Sequence, residues 1–183
     1  EAPRADGRAG TAQDDRPPAI EAPSAIVVEA STGDVAYAKN PAQPRRIAST
    51  TKLMTALVTL ESVPLDDVLP VVPYAADPVE SVGGLRAGER MTVRDLLRSL
   101  LLASANDAAV TLATGVSGAV PRFVEEMNAR ARRLGLRDTH FANPIGLDQE
   151  GNRSSARDLV RLAIHLRENA FFRRTVDLPR ATL

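Results

Sequence analysis

The sequence has no cysteine and no tryptophan among its 183 residues. Without cysteine there are no disulfides and no thiolate metal ligands, and the redox compartment stays undetermined. Aromatic residues make up only 3% of the chain, so few side chains could stack on bases. The formal net charge is zero, and basic residues are interspersed with acidic ones. These properties give no support for nucleic acid as a partner.

Long apolar runs are missing as well. No stretch reaches the roughly 18 apolar residues that suggest a transmembrane helix, and the sequence starts at Glu1 without a signal peptide. We expect an export signal or membrane anchor to lie outside the sequence. No His, Asp or Glu cluster has metal-ligand spacing, and no glycine-rich loop links a strand to a helix. The sequence therefore predicts no metal and no nucleotide cofactor.

The rest of the composition, with 44% hydrophobic and 25% charged residues, is that of an ordinary globular domain. Residues 1–24 differ, because they combine Ala, Pro, Gly and charge with almost no large apolar side chains. They are predicted to be a flexible leader or tether. Residues 25–183 are predicted to be the N-terminal and helical part of a folded domain.

Within that part, a β-branched run, a turn at Gly33 and an alternating segment predict a β-hairpin. Residues 62–94 contain several prolines and a glycine pair, and are predicted to be an irregular surface excursion. Five helices are predicted from their apolar spacing and caps. Their expected starts are near Ser49, at Thr92 (with Asp95 completing a capping box), at Asn106 or Asp107, near Val120, and at Ser154 or Ser155.

These elements predict an α/β (α+β) fold in which a helical cluster packs on an antiparallel sheet. A single hairpin is only a marginal sheet, and its edges would be unpaired. We therefore expect the complete fold to include further strands beyond Leu183.

Lysine is scarce: only Lys39 and Lys52 among 23 basic residues are lysines. Arginine stays protonated in proteins, whereas a buried lysine can become a neutral base. Ser49 precedes Lys52 by three residues, so the two side chains would share a helix face. Near a helix start, free N–H groups and the helix dipole favour an oxyanion. Ser49 is thus either a helix cap or a nucleophile with Lys52 as its base.

A second candidate constellation is Ser104-Ala105-Asn106, which connects two apolar helices. Serine and asparagine are common helix caps, and capping alone could explain them. On a connection that faces a cleft, however, the Ser104 hydroxyl could relay a proton and the Asn106 amide could orient a peptide substrate.

With these two motifs the chain resembles the D-alanyl-D-alanine carboxypeptidases, low-molecular-mass penicillin-binding proteins related to the serine β-lactamases. Their S-x-x-K and S-x-N motifs match Ser49-Thr50-Thr51-Lys52 and Ser104-Ala105-Asn106. The resemblance extends over about residues 24–175. Further stretches that follow the family in order and spacing are STGDVAYAKN, LRAGERMTVRDLLRSLLLASANDAAVTLA, FVEEMNARARRLGL, THFANPIGLD and SSARDLVRLA.

The resemblance implies a serine β-lactamase/transpeptidase-like fold outside the cytoplasm, periplasmic or on the cell-wall side. It implies that Ser49 attacks a peptidoglycan stem peptide ending in D-Ala-D-Ala, with Lys52 as base, Ser104 passing a proton and Asn106 holding the substrate amide. β-Lactams would acylate the same serine. It implies no cofactor, and it leaves room for a membrane tether outside the sequence.

The sequence departs from the family in two ways. Ile47 stands where the family often has proline, which we expect to be harmless. The family's Lys-Thr-Gly motif, on a later strand, has no counterpart before Leu183. By the resemblance, one oxyanion donor would be the Ser49 backbone N–H, and the second would come from that strand.

Two other kinds of function remain open. A non-catalytic module could bind cell-wall peptide, a complementary chain or a second copy of itself through exposed sheet edges. A class A β-lactamase would need a glutamate for deacylation, and Glu150 lacks the expected Glu-x-x-Leu-Asn setting. A Ser-His-Asp hydrolase is disfavoured because His140 and His165 are isolated and no G-x-S-x-G elbow is present.

Overall fold

The computed structural model describes residues 19–181 of the chain. Most of the predicted leader, residues 1–18, lies outside the described residues, so its flexibility stays a prediction. Across residues 19–181, none of the helices combines the length and the apolar character that a membrane crossing requires.

The predicted first hairpin is confirmed. Strands β1 (Ala25–Val28) and β2 (Val35–Lys39) pair antiparallel, with a bulge between Val27 and Val28. Gly33 has a φ of 82°, and its N–H donates to the Glu29 carbonyl at 2.8 Å. A residue with a Cβ rarely adopts this conformation, so glycine suits the turn.

A second, shorter hairpin corrects the prediction that residues 62–94 are wholly irregular. Strands β3 (Val68–Pro70) and β4 (Arg90–Thr92) have three residues each and pair antiparallel, with Leu69 opposite Met91. Strands this short give no alternation that sequence analysis could detect, and Pro70 is an unusual strand residue because it has no N–H to donate.

The structure has six α-helices in residues 19–181, one more than predicted. The additional helix is short and has two arginines in its last turn, and Asn169 caps it by accepting hydrogen bonds from the N–H groups of Phe171 and Phe172. The helices are α1 (Lys52–Ser62), α2 (Val93–Leu102), α3 (Asn106–Ser117), α4 (Val120–Arg133), α5 (Ala156–Leu166) and α6 (Ala170–Val176).

Most predicted helix ends are confirmed. The N–H of Asp95 donates to the Thr92 hydroxyl at 3.1 Å at the start of α2, and Ser155 caps α5. Gly135 follows α4 with a φ of 69°. The predicted cap of α3 is wrong, because Ala105 holds the cap position and Asn106 is the first helical residue. The Asn106 side chain is therefore free for another role.

Helix α1 occupies the centre of the fold. Its residues contribute to both hydrophobic clusters of the core, Met54 to one and Ala56 to the other, and both side chains are fully buried. It packs against α2, α3, α4 and α5. A helix packed on so many sides is a rigid base for the residues at its N-terminus.

Candidate active site

Ser49 lies in a 3₁₀ turn, Ala48–Thr51, that leads directly into α1. The serine is exposed, whereas Thr51 behind it is buried. Ala48 has a φ of 44°, a left-handed conformation that is costly for a residue with a Cβ. The surrounding structure holds this turn in place, and strain of this kind is concentrated at functional sites.

Lys52 is the first residue of α1, one turn after Ser49. Its Nζ lies 3.3 Å from the Ser49 Oγ, which confirms the predicted shared face. The Lys52 side chain is buried, with the residue only 4% exposed, while the serine beside it is open to solvent. A reactive hydroxyl is thus accessible to a ligand, and the neighbouring amine is shielded from water.

Burial lowers the pKa of Lys52 from 10.5 to about 8, and the negative charge of Glu80 partly opposes this effect. A substantial fraction of the amine is therefore neutral at mildly alkaline pH. A neutral amine has a lone pair that can accept the Ser49 proton, which an ammonium group cannot do. The pair has the chemistry of a nucleophile and its general base.

The loop of residues 143–147 covers the other side of Lys52. The Lys52 Nζ donates to the Ile145 carbonyl at 2.7 Å, and the Thr55 hydroxyl donates to the Pro144 carbonyl at 2.6 Å. The Asn143 Oδ1 accepts hydrogen bonds from the N–H groups of Ile145 and Gly146. These contacts attach the loop to the first turns of α1 and orient the lysine.

Gly146 allows this loop to approach the Ala48–Thr51 turn. Its φ is 90°, and a Cβ at this position would lie 2.0 Å from the Ala48 carbonyl oxygen and 3.0 Å from the Ser49 nitrogen. Only glycine fits both the conformation and the space. The loop backbone therefore packs directly against the backbone of Ala48 and Ser49.

The Ser104-Ala105-Asn106 segment forms the connection between α2 and α3. Ser104 has a φ of 56°, another left-handed conformation at a predicted site residue. Its Oγ is buried and has no hydrogen-bond partner within residues 19–181. A buried hydroxyl without a partner is uncommon, and it is suited to a group that arrives with a ligand.

Asn106 is 4% exposed, and its Nδ2 donates to the Glu80 carboxylate at 2.8 Å. Its Oδ1 is buried and unpartnered in the described part of the chain. Glu80 also accepts a hydrogen bond from the Tyr74 hydroxyl. Burial, followed by the hydrogen bond to Glu80 and its negative charge, raises the pKa of Tyr74 to about 12, so Tyr74 remains a donor at neutral pH.

Asp107 connects the excursion to α3. Its buried carboxylate accepts hydrogen bonds from the N–H groups of Gly83 at 2.8 Å and Leu85 at 3.0 Å. The Asn106 N–H donates to the Ser81 carbonyl at 2.8 Å. The excursion, which looked like irregular surface in the sequence, is therefore part of the wall of the site.

The structure brings Ser49 into contact with Lys52, and links Asn106 to the same region through Glu80, whose charge acts on Lys52. Sequence analysis missed the roles of Glu80, Tyr74 and Gly146. Glu80 and Tyr74 lie in a proline-rich segment without periodicity, so nothing in the pattern marked them. For Gly146, the one usable sequence signal was its position two residues after a proline, which indicates a turn.

The residues of the disfavoured alternatives have other surroundings. The His140 Nδ1 lies 2.9 Å from the Gly151 carbonyl, and the His165 Nε2 lies 2.9 Å from Arg130, so the described hydrogen bonds of both histidines lead away from Ser49. Glu150 is exposed on the surface loop. These positions provide no base for a Ser-His-Asp site.

Comparisons with known proteins agree with this geometry. A family model described as D-alanyl-D-alanine carboxypeptidase matches residues 11–175. The D-alanyl-D-alanine carboxypeptidase DacF of Bacillus subtilis is 40% identical over 153 residues, covering 81% of this chain and 39% of that protein. A D-alanyl-D-alanine endopeptidase of Pseudomonas aeruginosa is 40% identical over 162 residues, covering 87% of this chain and 52% of the relative.

A similar fold is found among solved structures. Penicillin-binding protein 6B from Escherichia coli matches with a TM-score of 0.82 and 37% identity, covering 87% of this chain and 54% of that one. The chain thus spans 39% to 54% of the length of these three proteins. The similarity includes the segments that carry Ser49, Lys52, Ser104 and Asn106.

Proposed function

The chain belongs to the D-alanyl-D-alanine carboxypeptidase family, peptidase S11, and we propose that it carries the acylation site of a serine-type D-Ala-D-Ala carboxypeptidase. The observation that carries the proposal is the contact between the exposed Ser49 hydroxyl and the buried Lys52 amine, 3.3 Å apart. A pKa of about 8 for Lys52 supports its role as a general base.

In the proposed reaction, the Ser49 Oγ attacks the carbonyl carbon of the penultimate D-alanine in a stem peptide, and neutral Lys52 takes the hydroxyl proton. The Ser49 N–H stabilises the oxyanion that forms. When the C–N bond breaks, the nitrogen of the terminal D-alanine receives a proton and leaves. The product is an ester between Ser49 and the shortened peptide.

The second constellation completes the proposed cycle. Ser104, whose hydroxyl is buried without a partner, passes the proton to the departing D-alanine. Asn106 holds the substrate amide near the serine. Water then hydrolyses the acyl-Ser49 ester and regenerates the hydroxyl. A β-lactam would acylate Ser49 by the same attack, because its strained amide resembles the scissile bond.

Peptidoglycan is the substrate and lies outside the cytoplasm, so we also propose an extracytoplasmic location. A membrane tether outside this sequence belongs to the same proposal. The named relatives include an endopeptidase as well as carboxypeptidases. The same acyl-serine chemistry can cleave a terminal D-alanyl bond, as in a carboxypeptidase, or an internal one, as in an endopeptidase.

The test is covalent labelling by a fluorescent penicillin, read on a denaturing gel. We expect the wild-type chain to be labelled and Ser49→Ala to lose the label completely, since no other residue is proposed to accept the acyl group. Ser62→Ala is a matched control. It changes a serine at the far end of α1 whose hydroxyl donates to Val58, and it should be labelled like the wild type.

Two outcomes contradict the proposal in different ways. A label that persists in Ser49→Ala would assign the nucleophile to another residue. A folded wild-type chain without label would favour the alternative of a non-catalytic module that binds cell-wall peptide. Release of D-alanine from a peptide ending in D-Ala-D-Ala, compared with one ending in L-Ala-L-Ala, then measures turnover.

A further inference from the structure

We propose that Glu80 is a positioning residue of the acylation site, a carboxylate that orients the Asn106 amide and whose negative charge acts on Lys52. This inference rests on the proposed function of Ser49 and Lys52. It adds an acidic residue from the excursion to the two motifs that sequence analysis identified. Its hydrogen bond with Asn106, its hydrogen bonds with Tyr74 and Asp77, and its electrostatic effect on Lys52 support it.

In the first of these interactions, the Asn106 Nδ2 donates a hydrogen bond to the Glu80 carboxylate at 2.8 Å. An ionised carboxylate only accepts hydrogen bonds, so it must face the amide NH₂ and not the amide oxygen. Asn106 is buried, and its Oδ1 therefore remains on the side away from Glu80, where no described residue pairs with it. Glu80 thus determines which end of the amide is available to a ligand.

The second contact keeps Glu80 itself in place. The Tyr74 hydroxyl donates to one carboxylate oxygen, and the N–H of Asp77 donates to the other at 3.3 Å. The hydrogen bond from Tyr74 is the largest of the effects that lower the pKa of Glu80, followed by that from Asn106. Glu80 is therefore ionised at neutral pH, as the orientation of Asn106 requires.

The third interaction is electrostatic. The negative charge of Glu80 raises the pKa of Lys52, which burial lowers by a larger amount. The other titratable groups around the pair are Tyr74 on the excursion and the buried Asp107 on α3, while the loop of residues 143–147 contributes the Ile145 carbonyl. Of these groups, Glu80 is the one whose charge raises the pKa of Lys52.

The test compares Glu80→Gln with the wild-type chain. Glutamine keeps the size but removes the charge, and its own amide can face either end of Asn106. We expect the acylation rate by a fluorescent penicillin to fall about tenfold at its pH plateau, the order expected for losing a charge-assisted hydrogen bond. The rising limb of the pH profile should also move to lower pH, because Lys52 loses the charge that favours its protonated form.

Glu89→Gln is the matched control. Glu89 lies in the same excursion and accepts a hydrogen bond from the Arg86 N–H, outside the network of Glu80. It loses the same charge, so a general effect of net charge would appear in both variants. Tyr74→Phe keeps the Glu80 charge but removes its anchor, and it should lower the rate without the shift to lower pH.

A second readout does not depend on acylation. The chain has only two lysines, so labelling with [ε-¹³C]lysine gives two side-chain resonances, and Lys52 can be titrated directly by NMR. The Lys52 titration should move to lower pH in Glu80→Gln and stay in place in Glu89→Gln. The resonance of Lys39, on β2, is the internal reference.

The outcomes separate this inference from the proposed function. A wild-type chain that is not acylated contradicts the proposed function, while the NMR titration still tests the effect of Glu80 on Lys52. An acylated wild-type chain with an unchanged rate and an unchanged Lys52 titration in Glu80→Gln overturns the inference. A lower rate with a shifted titration in Glu80→Gln alone supports it.

Discussion

At the scale of single residues, Lys52 shows why the identity of a basic side chain matters. Arginine provides nearly all positive charge in this sequence, yet a lysine occupies the buried position beside Ser49. Burial disfavours the charged form of a lysine, whereas an arginine would remain protonated there. The scarcity of lysine was a usable sequence signal, because it suggested a role that charge alone does not fill.

We predict that acylation depends on neutral Lys52. The rate of penicillin labelling should rise with pH through about 8, the pKa of Lys52, because deprotonation creates the base. Lys52→Arg should lower the rate by about 10³-fold or more over this range, since arginine cannot deprotonate and general base catalysis typically contributes 10²–10⁴-fold. Labelling kinetics between pH 6 and 9 provide the measurement.

Lys39→Arg is the control for this experiment, because Lys39 is the last residue of β2 and its Nζ donates to the Ile20 carbonyl. It should match the wild type at every pH. A Lys52→Arg chain that retains a tenth of the wild-type rate would be incompatible with Lys52 as the base.

At the scale of elements, the excursion between α1 and α2 depends on α3. Asp107 accepts hydrogen bonds from the N–H groups of Gly83 and Leu85, and in this way connects the loop that carries Glu80 to the first turn of α3. Sequence analysis interpreted Asn106 or Asp107 as the helix cap. The Asp107 Oδ1 does accept a hydrogen bond from the Ala108 N–H in the first turn of α3. The same carboxylate also binds residues more than 20 positions earlier in the sequence, which local patterns do not reveal.

We predict that Asp107→Asn loosens this loop. The amide keeps one acceptor and turns its NH₂ towards backbone N–H groups, so the free energy of unfolding should fall by about 1–3 kcal/mol. Hydrogen exchange at Gly83 and Leu85 should become faster than the fall in global stability explains. Amides in the interior of α4 should become faster only by the amount that this fall predicts. Denaturant unfolding and exchange measured by NMR give both quantities.

The exposed Glu125 on α4 offers a matched change, because Glu125→Gln also replaces a carboxylate by an amide. It should change stability by less than about 0.5 kcal/mol. Unchanged exchange at Gly83 and Leu85 in Asp107→Asn would show that other contacts hold the loop.

At the scale of the whole molecule, the core supports the site through α1. The cluster that contains Met54 also includes Phe123 of α4 and Leu162 of α5, all buried. The Ala48–Thr51 turn that carries Ser49 is therefore continuous with a packed helix and is not part of a mobile loop. The first hairpin contributes no residue to the two core clusters, and its Val27 and Val35 are 51% and 58% exposed. Association through its edges stays a prediction.

We predict that Phe123→Ala destabilises the whole fold. The side chain is 0% exposed, and removing a buried aromatic ring costs about 3–5 kcal/mol through lost burial and the cavity that remains. Denaturant unfolding should show a lower midpoint with a similar slope. Val79→Ala, at a residue that is 94% exposed, should stay within about 0.5 kcal/mol of the wild type. Equal effects of the two variants would contradict the assigned core.

The sequence by itself determined the features that depend on local spacing. It predicted the first hairpin, the five longer helices, the caps at Thr92 and Ser155 and the shared face of Ser49 and Lys52, because periods of two and 3.6 residues and capping chemistry act within a few residues. The motifs also identified the family. It missed α6, the β3–β4 hairpin and the cap of α3, where the local signal is short or shared with other structures.

Only the tertiary structure decided what surrounds Ser49 and Lys52. Glu80 reaches Asn106, Gly146 reaches the Ala48 carbonyl, and the Ile145 carbonyl reaches Lys52 across long separations in sequence. These contacts require the packed arrangement of α1 and α3 and of the two loops beside them. The pKa of Lys52 depends on the same packing, because it is shifted by burial and by the charge of Glu80, which is far from Lys52 in the sequence.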